Sequence, residues 1–187
     1  MTTDEARGLM HEWTSSPALR AHMEAVAACM GGYAEKSAPG NAAERERWIV
    51  AGLLHDMDYE KHPTKEEHPF IGVAALRERG DVDDEIINAI LGHAEYSGTP
   101  RVTAMQRVLF AVDELAGFIV ACAKVRPNGV GDLEPKSVKK KLKDKAFAAA
   151  VSREDIAKGI AEMGVDQDEH IRICIEAIRG ARERVGV

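Results

Sequence analysis

The stretch Val108-Leu109-Phe110-Ala111-Val112-Asp113-Glu114-Leu115-Ala116-Gly117-Phe118-Ile119-Val120 is apolar nearly all round. A helix with that pattern is buried on most of its sides. Asp113 interrupts it. An unpaired carboxylate in such a place is very costly, so Asp113 needs a cation, either a basic side chain or a metal ion. The segment predicts a helix from Thr103 to about Val125 that carries one charged group in need of a partner.

Helical signals continue on both sides. Thr3, ahead of Asp4 and Glu5, reads as the cap of a first helix that ends before Ser15. Ser16 with Pro17 opens a second helix reaching about Lys36, because a proline at the first position loses no hydrogen bond. Its stripe reads Leu19, His22, Val26, Cys29, Met30, Tyr33, at helical spacing. A third runs from near Asn41 through Trp48–Leu54 to about Asp58. A fourth follows Pro69 and stops at Gly80, and a fifth spans Asp83 to about Glu95. Arg126 to Pro135 holds two prolines and two glycines and reads as a linker or long turn. A lysine-rich helix then starts near Ser137. Ser152 with Asp155, and Asp166 with Glu169, are two further capping patterns.

No alternation of period two appears. Aromatic residues are only 5% and charged residues 30% of the 187 residues, a composition that favours helices over sheets. The expected fold is all-α: a single domain over 1–187, with a core at 17–126 and a helical extension at 132–187. Lys139-Lys140-Lys141 reads as a solvated helix face.

Five more polar residues, at four places, stand where apolar ones belong. His55-Asp56 ends the run Trp48–Leu54, and His22 lies on the stripe of the second helix. His93 closes Ile86–Gly92, and His68 precedes Pro69 at a helix start. That last position disfavours imidazolium and keeps the ring in its metal-binding form. Any one of these could be a hydrogen-bonded core histidine. Together they make four His and two Asp, all N/O donors, on five helices or helix ends. Such a set suits Fe, Mn or Zn, and its size suits two ions sharing a carboxylate bridge. His11, His62 and His170 have polar neighbours in sequence and read as surface residues.

The order His22, His55-Asp56, Asp113 resembles the HD superfamily of metal-dependent phosphohydrolases. His68 and His93 fall where many two-metal members carry two further histidines. The resemblance covers Pro17 to Arg126. It implies an all-α fold, two divalent ions (Fe, Mn, Zn, Co or Ni, with Mg as a further candidate) and hydrolysis of a phosphate ester. Asp56 and His55 would be the catalytic pair, with Asp56 bridging two cations whose shared water loses a proton near neutral pH. Lys61 and Lys65, on the loop after the pair, are the candidates for holding the remaining phosphate. Two departures stand out. Met57-Asp58-Tyr59 follows the pair in place of a small residue, Gly and Lys. Ala94 stands where cyclic-dinucleotide phosphodiesterases have a second His, which argues against that substrate. A di-iron oxygenase and a non-enzymatic regulatory module are the alternatives on the same scaffold.

The remaining features narrow the setting. A net charge of −6 and a pI near 5.7 argue against a nucleic-acid polymer as partner. Cys29, Cys122 and Cys174 are far apart and read as reduced core residues. No apolar run approaches the ~18 residues of a membrane span, and the N-terminus lacks signal-peptide features. The expectation is a cytoplasmic enzyme with a small phosphorylated substrate and no membrane partner.

Overall fold

Capping side chains set most of the helix boundaries in the computed structural model, which describes residues 1–187. The elements are α1 (Thr3–Trp13), α2 (Pro17–Ser37), α3 (Ala42–Leu54), α4 (Phe70–Arg79), α5 (Asp84–His93), a 3-10 turn (Glu95–Ser97), α6 (Ala104–Lys124), α7 (Pro135–Leu142), α8 (Arg153–Met163), α9 (Gln167–Gly180) and α10 (Arg182–Val185). There is no strand, and the fold is all-α. Ser16, Asn41, Asp83, Thr103, Ser152 and Asp166 each accept a first-turn N–H of the helix they open.

Three boundaries differ from the sequence reading. Thr2, not Thr3, caps α1, because its hydroxyl and the Glu5 carboxylate each accept the other's backbone N–H. The third helix stops at Leu54 rather than Asp58. From there the chain tightens into three-residue turns, with Met57 N–H on Leu54 O and Tyr59 N–H on Asp56 O. The lysine-rich helix starts at Pro135, which takes the first position that a proline suits.

α6 is the centre of the molecule. Of its 21 residues, 14 are buried, so it must be covered on several sides. α2 and α5, which precede it in the chain, pack on it, and so do α8 and α9, which follow it. Two glycines permit the closest crossings. A Cβ at Gly52 would stand 2.6 Å from Ala27 Cα, so α3 lies directly on α2. A Cβ at Gly159 would stand 2.6 Å from Ala111 Cα, so α8 lies directly on α6. Ile156, Ile171, Cys174 and Ile178 join the same hydrophobic cluster as Val26, Leu53 and Leu109. The Arg126–Pro135 segment is a packed turn: Val130 and Leu133 are buried, and their carbonyls accept from Arg179.

His170 departs from its expected surface position. It is fully buried, with Nδ1 2.5 Å from the Tyr33 hydroxyl and Nε2 3.2 Å from Ala111 O. Its neighbours in sequence are polar, but four-residue steps put it on one face with Cys174 and Ile178. His11 is exposed, and His62 is half-buried beside Glu67. In the lysine run, Lys139 pairs with Asp168 and Lys141 lies over Phe147.

Candidate metal centre

The six polar residues that break the hydrophobic pattern converge on one spot. α2 contributes His22, the end of α3 His55, and the turn after it Asp56. His68 precedes α4, His93 ends α5, and Asp113 lies midway along α6. Their ligand atoms form two groups that share Asp56: His22, His55 and Asp56, and Asp56, His68 and His93.

Asp56 divides its two oxygens between the groups. Oδ2 lies 3.6 Å from His22 Nε2 and 3.5 Å from His55 Nε2. Oδ1 lies 3.4 Å from His68 Nε2 and 3.5 Å from His93 Nε2. Asp113 belongs with the first group: its Oδ1 is 3.0 Å from His22 Nε2 and 3.4 Å from His55 Nε2. No Lys or Arg pairs with Asp113; the basic groups beside it are these two imidazoles.

These spacings fit ions. Ligand atoms about 2.0–2.2 Å from one ion lie roughly 2.8–3.6 Å from each other in tetrahedral or octahedral arrangements. The proton arrangement also fits. His55 Nδ1 donates to Gly52 O at 2.9 Å, and His93 Nδ1 donates to Ile90 O. His68 Nδ1 donates to Asp58 Oδ1 at 2.7 Å. With those protons on Nδ1, each ring in its neutral form turns a bare Nε2 lone pair inward. His68 Nε2 then faces His93 Nε2 at 3.2 Å, lone pair to lone pair. Acceptors facing acceptors are unfavourable without a cation between them. Metal-binding imidazoles characteristically donate the other ring N–H in this way.

The local electrostatics call for positive charge. Burial pushes the His55 imidazole down, but the Asp56 and Asp113 carboxylates outweigh it and raise it to about 9. Burial works against the Asp113 carboxylate too, yet the histidines hold it well below the usual range. In the chain alone, protons on imidazole supply the charge that the carboxylates demand.

A cavity of about 340 Å³ opens over the cluster. Five of the six residues line it, all but the fully buried His55, and Tyr59, Tyr96, Glu114 and Val151 contribute to its wall. Glu114 accepts from Ser152 N–H at 3.0 Å, and burial, helped by the Asp113 charge, pushes it up to about 7. Residues after 132 thus cover one side of the cavity as well as extending the core. Neither candidate lysine lines it. Lys61 Nζ lies over the Trp13 ring at 5.5 Å, and Lys65 Nζ lies over Tyr96 at 5.6 Å, on the rim.

One residue the sequence reading passed over is Asp58. It is 1% exposed, and both its oxygens are engaged, one by His68 and one by Gly72 N–H at 2.6 Å. It lies in the turn after α3, where no helical or strand period operates, so periodicity could not single it out.

The family model described as HD domain matches residues 19–117, more than half of the chain. The chain belongs to the HD domain family. Members of this family bind divalent metals and are mostly metal-dependent hydrolases. No match is found among curated proteins or among solved structures.

Proposed function

We propose that this chain is a metal-dependent phosphohydrolase that cleaves a small phosphate ester at a two-ion centre. The observation that carries the reading is the division of Asp56 between two histidine pairs whose Nε2 atoms face inward. His22, His55 and Asp113 would hold one ion, His68 and His93 the other, and Asp56 would join both. Bound divalent cations supply Lewis acidity toward phosphoryl oxygens and lower the pKa of bound water.

The chain's own residues do the rest. Carbonyls of Gly52 and Ile90 and the carboxylate of Asp58 keep three imidazole protons away from the centre. α2, α3 and α6 fix one group of ligands on rigid helices, which limits reorganisation as charge develops. Tyr59, Tyr96 and Val151 form part of the cavity wall. Lys65, whose Nζ lies over the Tyr96 ring of the cavity wall, would be the lysine that reaches a bound phosphate.

The test is metal analysis of purified chain followed by a panel of phosphomonoesters and phosphodiesters. Expected are about two ions per chain and hydrolysis that chelation abolishes and metal restores. Iron as the resident metal, with dioxygen uptake and no phosphate release from any panel member, would instead identify the di-iron oxygenase alternative.

A further inference from the structure

The four histidines of the cluster are not held alike. His55 and His93 each donate Nδ1–H to the carbonyl three residues back in their own helix, Gly52 O and Ile90 O. His68 lies in the turn ahead of α4 and has no such helical carbonyl. Its Nδ1 is met by the Asp58 carboxylate instead, at 2.7 Å. The other Asp58 oxygen accepts from Gly72 N–H in the first turn of α4. The approach is close enough that a Cβ on Gly72 would stand 3.0 Å from Asp58 Cγ and Oδ2.

We propose that Asp58 is a positioning residue that fixes the tautomer of His68, turning its Nε2 lone pair toward Asp56 and His93. The inference rests on the reading of His68 as a metal ligand. Asp58 faces two donors, Gly72 N–H and His68 Nδ1–H, and only a carboxylate accepts from both. While Nδ1 carries the proton, Nε2 is bare. Asp58 therefore does for a residue outside the helices what backbone carbonyls do for His55 and His93. It also ties the turn that carries Asp56 to the helix that follows His68, so the two arrive at the centre in register.

Asp58→Asn isolates the effect, because it keeps the shape and removes one acceptor. The Gly72 N–H cannot change its character, so the amide oxygen stays with it. The amide NH2 then faces His68 Nδ1, which must accept, and the ring proton moves to Nε2. There it caps the lone pair that would bind the ion. A comparable carboxylate-to-amide change in a serine protease triad leaves geometry intact and fails through the wrong tautomer.

The experiment has two readouts, neither of them turnover. The first is the His68 tautomer by nitrogen-15 NMR of the metal-free chain at about pH 8, above the ordinary imidazole range. Wild type should show the proton on Nδ1, and Asp58→Asn should show it on Nε2. The second is calorimetric titration with Zn²⁺. The variant should bind one ion roughly 10–100-fold more weakly and the other as wild type does. The proposal is overturned if wild-type His68 carries its proton on Nε2, if the variant keeps it on Nδ1, or if both ions weaken alike. Should the variant not fold, the wild-type tautomer decides. Should wild type bind no Zn²⁺, the ligand reading of His68 fails, while the tautomer pair still decides what Asp58 does.

Discussion

Two histidines in this molecule, His55 and His170, are both fully buried, and their surroundings shift them in opposite directions. Around His55, two carboxylates and a second imidazole crowd the same Nε2 atom, and the ring is raised to about 9. Around His170 there is a tyrosine hydroxyl and one carbonyl, and burial lowers the ring below its ordinary value. The first region is an unsolved electrostatic problem that a cation answers. The second is a closed hydrogen-bond arrangement that asks for nothing. A buried histidine is thus no mark of function by itself. Carboxylates converging on it from separate helices are.

The sharpest way to break the comparison is to remove the group that makes the first region different. Asp56→Ala deletes the carboxylate that serves both histidine pairs. Bound metal should fall from about two ions per chain to near none, hydrolysis should vanish, and circular dichroism should stay strongly helical. Wild-type metal content in that variant would mean that the histidines alone hold the ions.

Exchanging the two histidines for alanine should give opposite results. His55→Ala should lose metal and activity while the helical fold persists. His170→Ala should keep the wild-type metal content. It should lose about 1–3 kcal/mol of stability, because the Tyr33 hydroxyl is left without a partner in the core. Urea unfolding and metal analysis on the same preparations separate the two outcomes. Metal loss in His170→Ala would show that the two regions are coupled through α6.

Within the centre a smaller contrast follows. His68→Ala or His93→Ala should lower bound metal from about two ions toward one, and His22→Ala should do the same from the other side. Hydrolysis should fall with any of them if both ions are needed. Parent chain that holds one ion even after metal supplementation, with full activity in His68→Ala and His93→Ala, would reduce the centre to His22, His55, Asp56 and Asp113.

Much of this could be read from the chain. The apolar run around Asp113, the end of Trp48–Leu54 at His55-Asp56, and the order of the histidines carried both the helical fold and the cluster. Capping residues located most of the helix starts within a residue or two, because caps act locally. Two kinds of information were not legible. His170 was hidden by the acidic first turn of α9, whose capping residues mask the four-residue stripe it belongs to. Asp58 was hidden because its role depends on a contact across fourteen residues with Gly72, in a segment without period. Tertiary proximity in turns leaves no pattern in one sequence.

The subtlest expected effect is in how stability responds to pH, and it tests the opposite shifts directly. Burial lowers the His170 imidazole, with the Ala111 carbonyl only partly opposing it. A ring lowered on folding contributes fully above its unfolded value near 6.5. That contribution is lost as pH falls below this value, since the unfolded chain takes up a proton the folded chain refuses. His55 runs the other way. Its folded value of about 9 lies above the unfolded one. Its contribution is complete below about 6.5 and is lost as pH rises toward the folded value. Both limbs are read from urea unfolding of chelator-treated chain between about pH 5 and about pH 9, because a bound ion would replace the proton on His55. Acidic side chains add their own losses lower down, so slopes are compared between variants rather than read alone. His170→Gln should flatten the acid limb and leave the alkaline limb as in wild type. His55→Gln should flatten the alkaline limb and leave the acid one. An acid limb unchanged in His170→Gln would assign that slope to another group and remove the charge-state half of the contrast between the two buried rings.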